Sequence, residues 1–189
     1  MIFSQASGLP ERKMILTRST ISTPIGDMLA LASDDGLCAL EFVGPGKRLS
    51  RLERRLSRWF PPHEIVDGET SPIVRSREWL AAYFDGSNAA IGNLPVAMHG
   101  APFEQRVWRA LLAIPPGRTT SYGALATALG CPGASRAVGA ANGANPIAIV
   151  VPCHRVIGSS GSLVGYGGGL DRKTWLLEHE RRWCSDRLF

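Results

Sequence analysis

Cys153 and His154 stand side by side in Val151-Pro152-Cys153-His154-Arg155-Val156. A thiol is a strong nucleophile only as thiolate, and an imidazole next to it, or an opposing helix N-terminus, promotes that form. On this stretch alone two readings stand open: an activated nucleophile, or a buried and inert cysteine, one of the most buried residue types. The apolar run Ile147–Val151 reads as a buried strand or extended segment leading into it. Pro152 fixes its own φ and biases Val151 toward an extended shape, so Cys153 arrives at the end of a stiff approach. Of the other cysteines, Cys38, Cys131 and Cys184, none pairs as C-x-x-C and no His lies at finger-like spacing. No metal site is expected.

The elements around this stretch read as helices. Phe103, Val107, Leu111 and Ile114 define the buried face of one, ended by Pro115-Pro116-Gly117. Ser121 caps a short second helix, with Leu125 and Leu129 inward and Gly130 at its end. After the turn Cys131-Pro132-Gly133, Ser135–Ala144 forms a third helix built almost wholly from small residues. Two short helices joined by a tight turn are a helix-turn-helix, whose second helix contacts nucleic acid. The Gly- and Ser-rich Gly158–Gly169 would be a wing-like loop, and Leu170–Arg181 the last helix, with Trp175, Leu176 and His179 at core spacing.

The first half supports rather than reacts. Met1–Lys13 has no period and reads as a loose arm. Met14–Ser22, Met28–Ser33 and Leu37–Phe42 read as strands of an antiparallel meander, with turns at Pro24–Asp27 and Asp34–Gly36. Arg48–Phe60 is an amphipathic helix whose Arg51, Arg54, Arg55 and Arg58 lie mostly opposite its leucines, a solvated face or a DNA contact. Ser71 caps a further helix that has Pro72 at its first position and Ile73, Leu80, Tyr83 and Phe84 inward. Nothing in residues 1–90 looks catalytic. The expected division is an α/β supporting domain over 1–92, a linker over 93–102, and a mainly helical domain over 103–189.

Charge divides the same way. Residues 1–100 carry eleven basic and eleven acidic side chains, while 101–189 carry ten basic and five acidic, the whole net +5. Between Glu104 and Asp171 there is no acidic residue and there are five Arg. Such a region suits a polyanion. No run approaches a membrane span and no signal peptide is evident, so a cytoplasmic protein with free thiols is expected.

Residues 118–180 contain, in order, Thr119-Thr120-Ser121-Tyr122-Gly123, then Ser135-Arg136-Ala137-Val138-Gly139-Ala140-Ala141-Asn142-Gly143-Ala144-Asn145-Pro146, then Pro152–Gly158, Gly165-Tyr166-Gly167-Gly168-Gly169-Leu170, and Trp175–Glu180. This ordered set closely resembles the O6-alkylguanine-DNA alkyltransferases, or methylated-DNA–protein-cysteine methyltransferases, most of all the free-standing bacterial type. The resemblance implies irreversible transfer of an alkyl group from O6-alkylguanine, secondarily O4-alkylthymine, in double-stranded DNA to Cys153. It implies no cofactor and no obligate protein partner.

It also assigns roles. Cys153 is the acceptor, His154 relays a proton through a water, and Glu180 holds the imidazole in its tautomer, the logic of a triad with a thiol nucleophile. Asn145 matches the hinge asparagine. Arg136 matches the arginine finger that replaces the flipped nucleotide, and Tyr122 the tyrosine that crowds the neighbouring phosphate and lines the base pocket. Ser135, Ala137, Gly139 and Ala140 would lie in the minor groove against sugar and phosphate. Val151 and Pro152 wall the alkyl group, and Tyr166, Gly167 and Gly168 form the loop over the base. Some relatives carry Ser where Gly167 stands, so only a backbone N–H is offered to guanine O6 there. Two rival readings are a non-catalytic alkyltransferase-like protein, which would lack the cysteine, and a winged-helix regulator. A Cys-His hydrolase leaves the acid-free basic stretch unexplained.

Overall fold

The computed structural model describes residues 13–44, 48–60, 62–86 and 94–185. The arm expected over Met1–Lys13 therefore falls, save Lys13, outside the described residues, as does Asn93 of the expected linker.

Three strands, β1 (Met14–Ile21), β2 (Met28–Ser33) and β3 (Gly36–Phe42), form the expected antiparallel meander. Gly36 turns the second hairpin at φ +137°, where a Cβ would lie 2.6 Å from the Pro95 carbonyl oxygen. The helix α1 (Arg48–Trp59) follows and lays Leu52 and Leu56, with Phe60 beyond it, on Leu16, Leu31, Cys38 and Ala39. The sheet is not purely antiparallel, as the sequence suggested. After α1, β4 (His63–Asp67) pairs parallel to β1, giving the order β3-β2-β1-β4. A helix between two parallel neighbours is the crossover such pairing requires. The segment is short, with no fully buried residue, so no alternation announces it. Next, α2 (Ser71–Phe84) begins one residue earlier than expected: Thr70 is its N-cap and Ser71 its first helical residue. It buries Ile73, Leu80 and Tyr83.

The second half contains α3 (Pro102–Leu112), α4 (Tyr122–Ala128), α5 (Ser135–Gly143) and α6 (Leu170–Ser185), together with a two-stranded parallel ladder of β5 (Thr120–Ser121) and β6 (Val156–Ile157) that the sequence did not suggest. Ser121 caps α4 by accepting from Ala124 N–H at 3.1 Å. Fully buried Trp108 on α3 donates its indole N–H to the Ala141 carbonyl of α5 at 2.8 Å. One core cluster runs from Ile21, Met28 and Leu40 through Tyr83, Val107 and Val138 to Cys153 and Leu176, so both halves share an interior.

The outward edge of β3 is also used. Leu37 N–H donates to the Pro95 carbonyl at 2.9 Å and Leu40 N–H to the Pro146 carbonyl at 2.8 Å, while Ala148 N–H returns to the Leu40 carbonyl at 2.8 Å. The chain just before the cysteine is thus seated directly on the N-terminal sheet.

Candidate active site

Residues 147–151 are not the strand or extended segment that their apolar run suggests. They form a tight turn: Val151 N–H donates to the Ile147 carbonyl at 3.0 Å, and Ile149 sits at φ +69°. A β-branched residue in the left-handed region is strained and persists only where the surroundings impose it. Here Ile147, Ile149 and Val151 are all buried, and burial, not extension, is what the apolar run recorded. Pro152 follows at φ −82°, ψ 61°, an inverse γ-turn closed by Cys153 N–H on the Val151 carbonyl at 2.8 Å. Cys153–Arg155 then makes one 3-10 turn.

Asn145 organises this turn. Its Nδ2 donates to the Val151 carbonyl at 2.8 Å and to the Cys153 Sγ at 3.1 Å, and its Oδ1 accepts from Ile147 N–H at 3.0 Å. A donor aimed at the sulfur favours its charged form. Asn142, one turn back on α5, donates to the Cys153 carbonyl at 3.3 Å. Thus α5 and the cysteine are joined through two asparagines, of which the sequence singled out only Asn145.

His154 is fully buried, and its Nε2 lies 2.8 Å from Glu180 Oε1. A carboxylate facing Nε2 places the proton there and leaves Nδ1 with its lone pair. That buried Nδ1 has no hydrogen-bond partner among the described residues. Burial pushes the His154 pKa down, and Arg155 and Lys173 add to this against the opposing pull of Glu180, so the ring is neutral at neutral pH. Burial would raise the Glu180 carboxyl, but His154 and Arg155 outweigh it and hold it well below the usual carboxylate range.

Glu180 has more partners than the sequence implied. Arg155 grips it in a fork, Nε to Oε2 at 2.9 Å and Nη2 to Oε1 at 2.8 Å, and also reaches the Ile114 carbonyl at 2.5 Å. Gly117 N–H donates to Oε2 at 3.1 Å, and the Tyr83 hydroxyl donates to Oε1 at 2.7 Å. Tyr83 therefore carries the N-terminal half into the site, although nothing in residues 1–90 had looked catalytic. Burial, then the Glu180 charge, pushes its hydroxyl pKa well up, so it remains a donor.

On α6 the buried face is Lys173, Leu176, Glu180 and Trp183, at spacings of three and four, with two charges on it. The expected core residues Trp175 and His179 are half-buried beside it, stacked on one another at 4.8 Å. Lys173 is fully buried. Its ammonium donates to the Val156 carbonyl at 2.7 Å and to the Val164 carbonyl at 2.8 Å, tying β6 to the middle of the wing-like loop. Burial lowers its pKa and the charge of nearby Cys153 opposes that. The signal for Arg155 was its place beside His154. Lys173 and Tyr83 left none, because a hydrophobic pattern does not mark a buried cation or a hydroxyl whose partner lies 97 residues away.

The remaining expected residues lie on the turn before the thiol, on α4 and α5, and on the wing-like loop. Val151 and Pro152 are buried beside Cys153. Burial, then the charge of Cys153, raises the Tyr122 hydroxyl pKa, and that hydroxyl lies 3.5 Å from the Val164 carbonyl. Tyr166 places its ring edge-on to His154 with centroids 6.3 Å apart. Gly168 sits where a Cβ would lie 2.7 Å from the Tyr166 ring and 2.8 Å from the Phe42 ring, while Gly167 is exposed. Arg172 clamps this loop, donating to the Gly168 carbonyl at 2.9 Å and the Ile25 carbonyl at 2.7 Å over the Phe42 ring. On α5, Arg136, Ala137 and Ala140 are exposed, Ser135 is half-buried, and half-buried Gly139 faces the Tyr122 ring. Among the described residues no cluster of His, Cys, Asp or Glu could hold a metal ion, and no helix is long and apolar enough to cross a membrane.

Known proteins resemble this chain over most of its length. Residues 16–98 match the ribonuclease-like domain of 6-O-methylguanine DNA methyltransferase, and residues 102–182 its DNA-binding domain. A methylated-DNA–protein-cysteine methyltransferase of Salmonella typhimurium is 63% identical over 168 residues, covering 87% of this chain and 95% of that one. One from Mycobacterium tuberculosis is 44% identical over 162 residues, covering 86% and 90%. The crystal structure of the M. tuberculosis protein in complex with DNA superposes with a TM-score of 0.74 at 40% identity, covering 89% of this chain and 94% of that one. With both domains matched and the thiol, imidazole and carboxylate assembled on them, the chain belongs to the O6-methylguanine DNA methyltransferase family.

Proposed function

We propose that the chain's activity as an O6-methylguanine DNA methyltransferase runs through Cys153, in a single irreversible transfer from a flipped nucleotide. Two hydrogen bonds carry the reading: Glu180 fixes the proton of His154 on Nε2, and Asn145 holds the Cys153 sulfur. Neutral His154 then offers Nδ1 as the base. It takes the thiol proton through a bridging water, and the thiolate attacks the alkyl carbon in line. The C–O bond breaks, its electrons pass to guanine, and the proton follows onto the leaving base. Glu180 stabilises the imidazolium meanwhile.

Duplex DNA approaches the exposed side of α5, with Ala137, Gly139 and Ala140 in the minor groove and Ser135 at the helix start. Arg136 takes the place of the extruded nucleotide, and Tyr122 turns the adjacent phosphate. Tyr166, Gly167 and Gly168 close over the base, and Val151 and Pro152 wall the alkyl group. O6-alkylguanine is the main substrate and O4-alkylthymine the lesser. The division into a supporting domain over 1–92, a linker over 93–102 and a reactive domain over 103–189 belongs to the same reading, as does a cytoplasmic location, where the thiol stays reduced. No cofactor or obligate protein partner enters it. Intact mass after incubation with O6-methylguanine DNA tests it: one added methylene, mapped to Cys153, is expected. An unchanged mass, or a methyl on Cys38 or Cys131, overturns it.

A further inference from the structure

We propose that Arg51, Arg54 and Arg58 of α1 form a second phosphate-binding surface, extending the DNA footprint of α5 onto the N-terminal half of the chain. The inference rests on the reading of α5 as the helix that meets DNA.

Leu52 and Leu56 are buried against the sheet, which fixes how α1 is rotated. Arg51, Arg54 and Arg58, at spacings of three and four, then share one outward ridge, and all three are exposed. Arg55 lies on the same ridge but is half-buried, because its guanidinium donates to the Ala144 carbonyl. Ala144 is the C-cap of α5. The outward residues of α5 are Arg136, Ala137, Ala140 and Gly143, so that stripe ends one residue before the carbonyl that Arg55 holds. A duplex lying along α5 and continuing past its C-terminal end meets the arginine ridge.

The ridge is also unneutralised. Elsewhere in this half, Arg18 is engaged by Asp67 at 2.8 Å and Arg77 by Glu69 at 2.6 Å, and the exposed arginine without an ion pair among the described residues is Arg75, which stands alone on α2 rather than in a ridge. Among the described residues Arg51, Arg54 and Arg58 make no ion pair or hydrogen bond. The only acid of α1 is Glu53. Like charges one turn apart repel, and a polyanion relieves them. Duplex DNA carries one charge per ~1.7 Å of axis, and the guanidinium fork matches phosphate oxygens. Such contacts position without reading sequence.

The test compares the wild-type chain with Arg51→Gln/Arg54→Gln/Arg58→Gln on two duplexes, one just spanning the lesion site and one extending well beyond it, with binding followed across salt. Loss of three phosphate contacts should flatten the log–log salt slope on the long duplex by about 2.7, at about 0.9 per contact. The slope on the short duplex and the reaction with free O6-benzylguanine should not change. The charge-keeping Arg51→Lys/Arg54→Lys/Arg58→Lys should retain the wild-type slope. Equal slopes for wild type and the Gln variant on the long duplex overturn the ridge while leaving the repair reading intact. A loss shared by the Lys variant overturns it too, since it would trace to packing rather than charge. Wild-type protein that binds neither duplex brings down the α5 reading itself.

Discussion

Glu180 is a buried anion with five donors around it, supplied by Tyr83, Gly117, His154 and Arg155. Removing its charge leaves those donors in place but no longer holds the imidazole, so Glu180→Gln should slow transfer while DNA binding persists, measured by single-turnover kinetics beside a binding titration. Arg155→Met leaves the carboxylate without its fork and should destabilise the fold by about 3–5 kcal/mol in denaturant titrations, as expected for a broken buried pair. Acid should act on the same group in two stages. His154 is held below its ordinary value of 6.5, so below that pH the unfolded chain binds more protons than the folded one and stability falls. Glu180 is depressed below its ordinary 4.5, so a further loss sets in below that pH, and both contributions are complete above 6.5. Melting temperature should therefore be level from pH 8 to 7, decline below about 6.5 and decline more steeply below about 4.5. His154→Gln should shrink the first decline, leaving the part that comes from His99, whose pKa burial also lowers. A wild-type melting temperature that rises toward pH 5 would contradict the buried neutral ring.

In the proposed function α5 and the Tyr166–Gly168 loop do different jobs, and substitutions should separate them. Arg136 is exposed on α5 and away from the thiol's own hydrogen bonds, so Arg136→Ala should keep the reaction with free O6-benzylguanine and lose repair of duplex DNA. Equal loss on both substrates would make Arg136 structural. Gly168→Ala forces a methyl into the rings of Tyr166 and Phe42 and should cost about 1–3 kcal/mol of stability by overpacking, read from a shifted denaturation midpoint. The β1–β3 meander and α3 to α6 were legible in the chain because turn residues and apolar spacing punctuate them. The parallel β4 was not, being short and largely open to solvent. Nor was the turn at 147–151, since hydrophobicity reports burial and is silent about a positive φ. In the site, Cys153, His154, Asn145 and Glu180 were legible through the ordered stretches that contain them. Tyr83 and Lys173 were not, because a long-range hydrogen bond and a buried ammonium break the patterns that sequence reasoning relies on.

The molecule as a whole should act once. A thioether has no carbonyl for water to attack, so repaired guanine should plateau at one per protein, assayed with DNA in excess. A sustained ratio above one would mean a true catalyst. Cys153→Ser should bind alkylated DNA and transfer nothing, a hydroxyl being a far weaker nucleophile at neutral pH. The seat of the reactive turn has a consequence for how the protein fails. β3 is the outermost strand of its sheet, and the outward groups of Leu37 and Leu40 are taken by Pro95, Ala97, Pro146 and Ala148. The Pro146 and Ala148 bonds that seat the turn of Cys153 therefore also help keep a bare sheet border from recruiting another chain. Once that turn lifts away, lost reactivity and a self-adhesive margin arrive together, and inactivation and clumping become two symptoms of one opening.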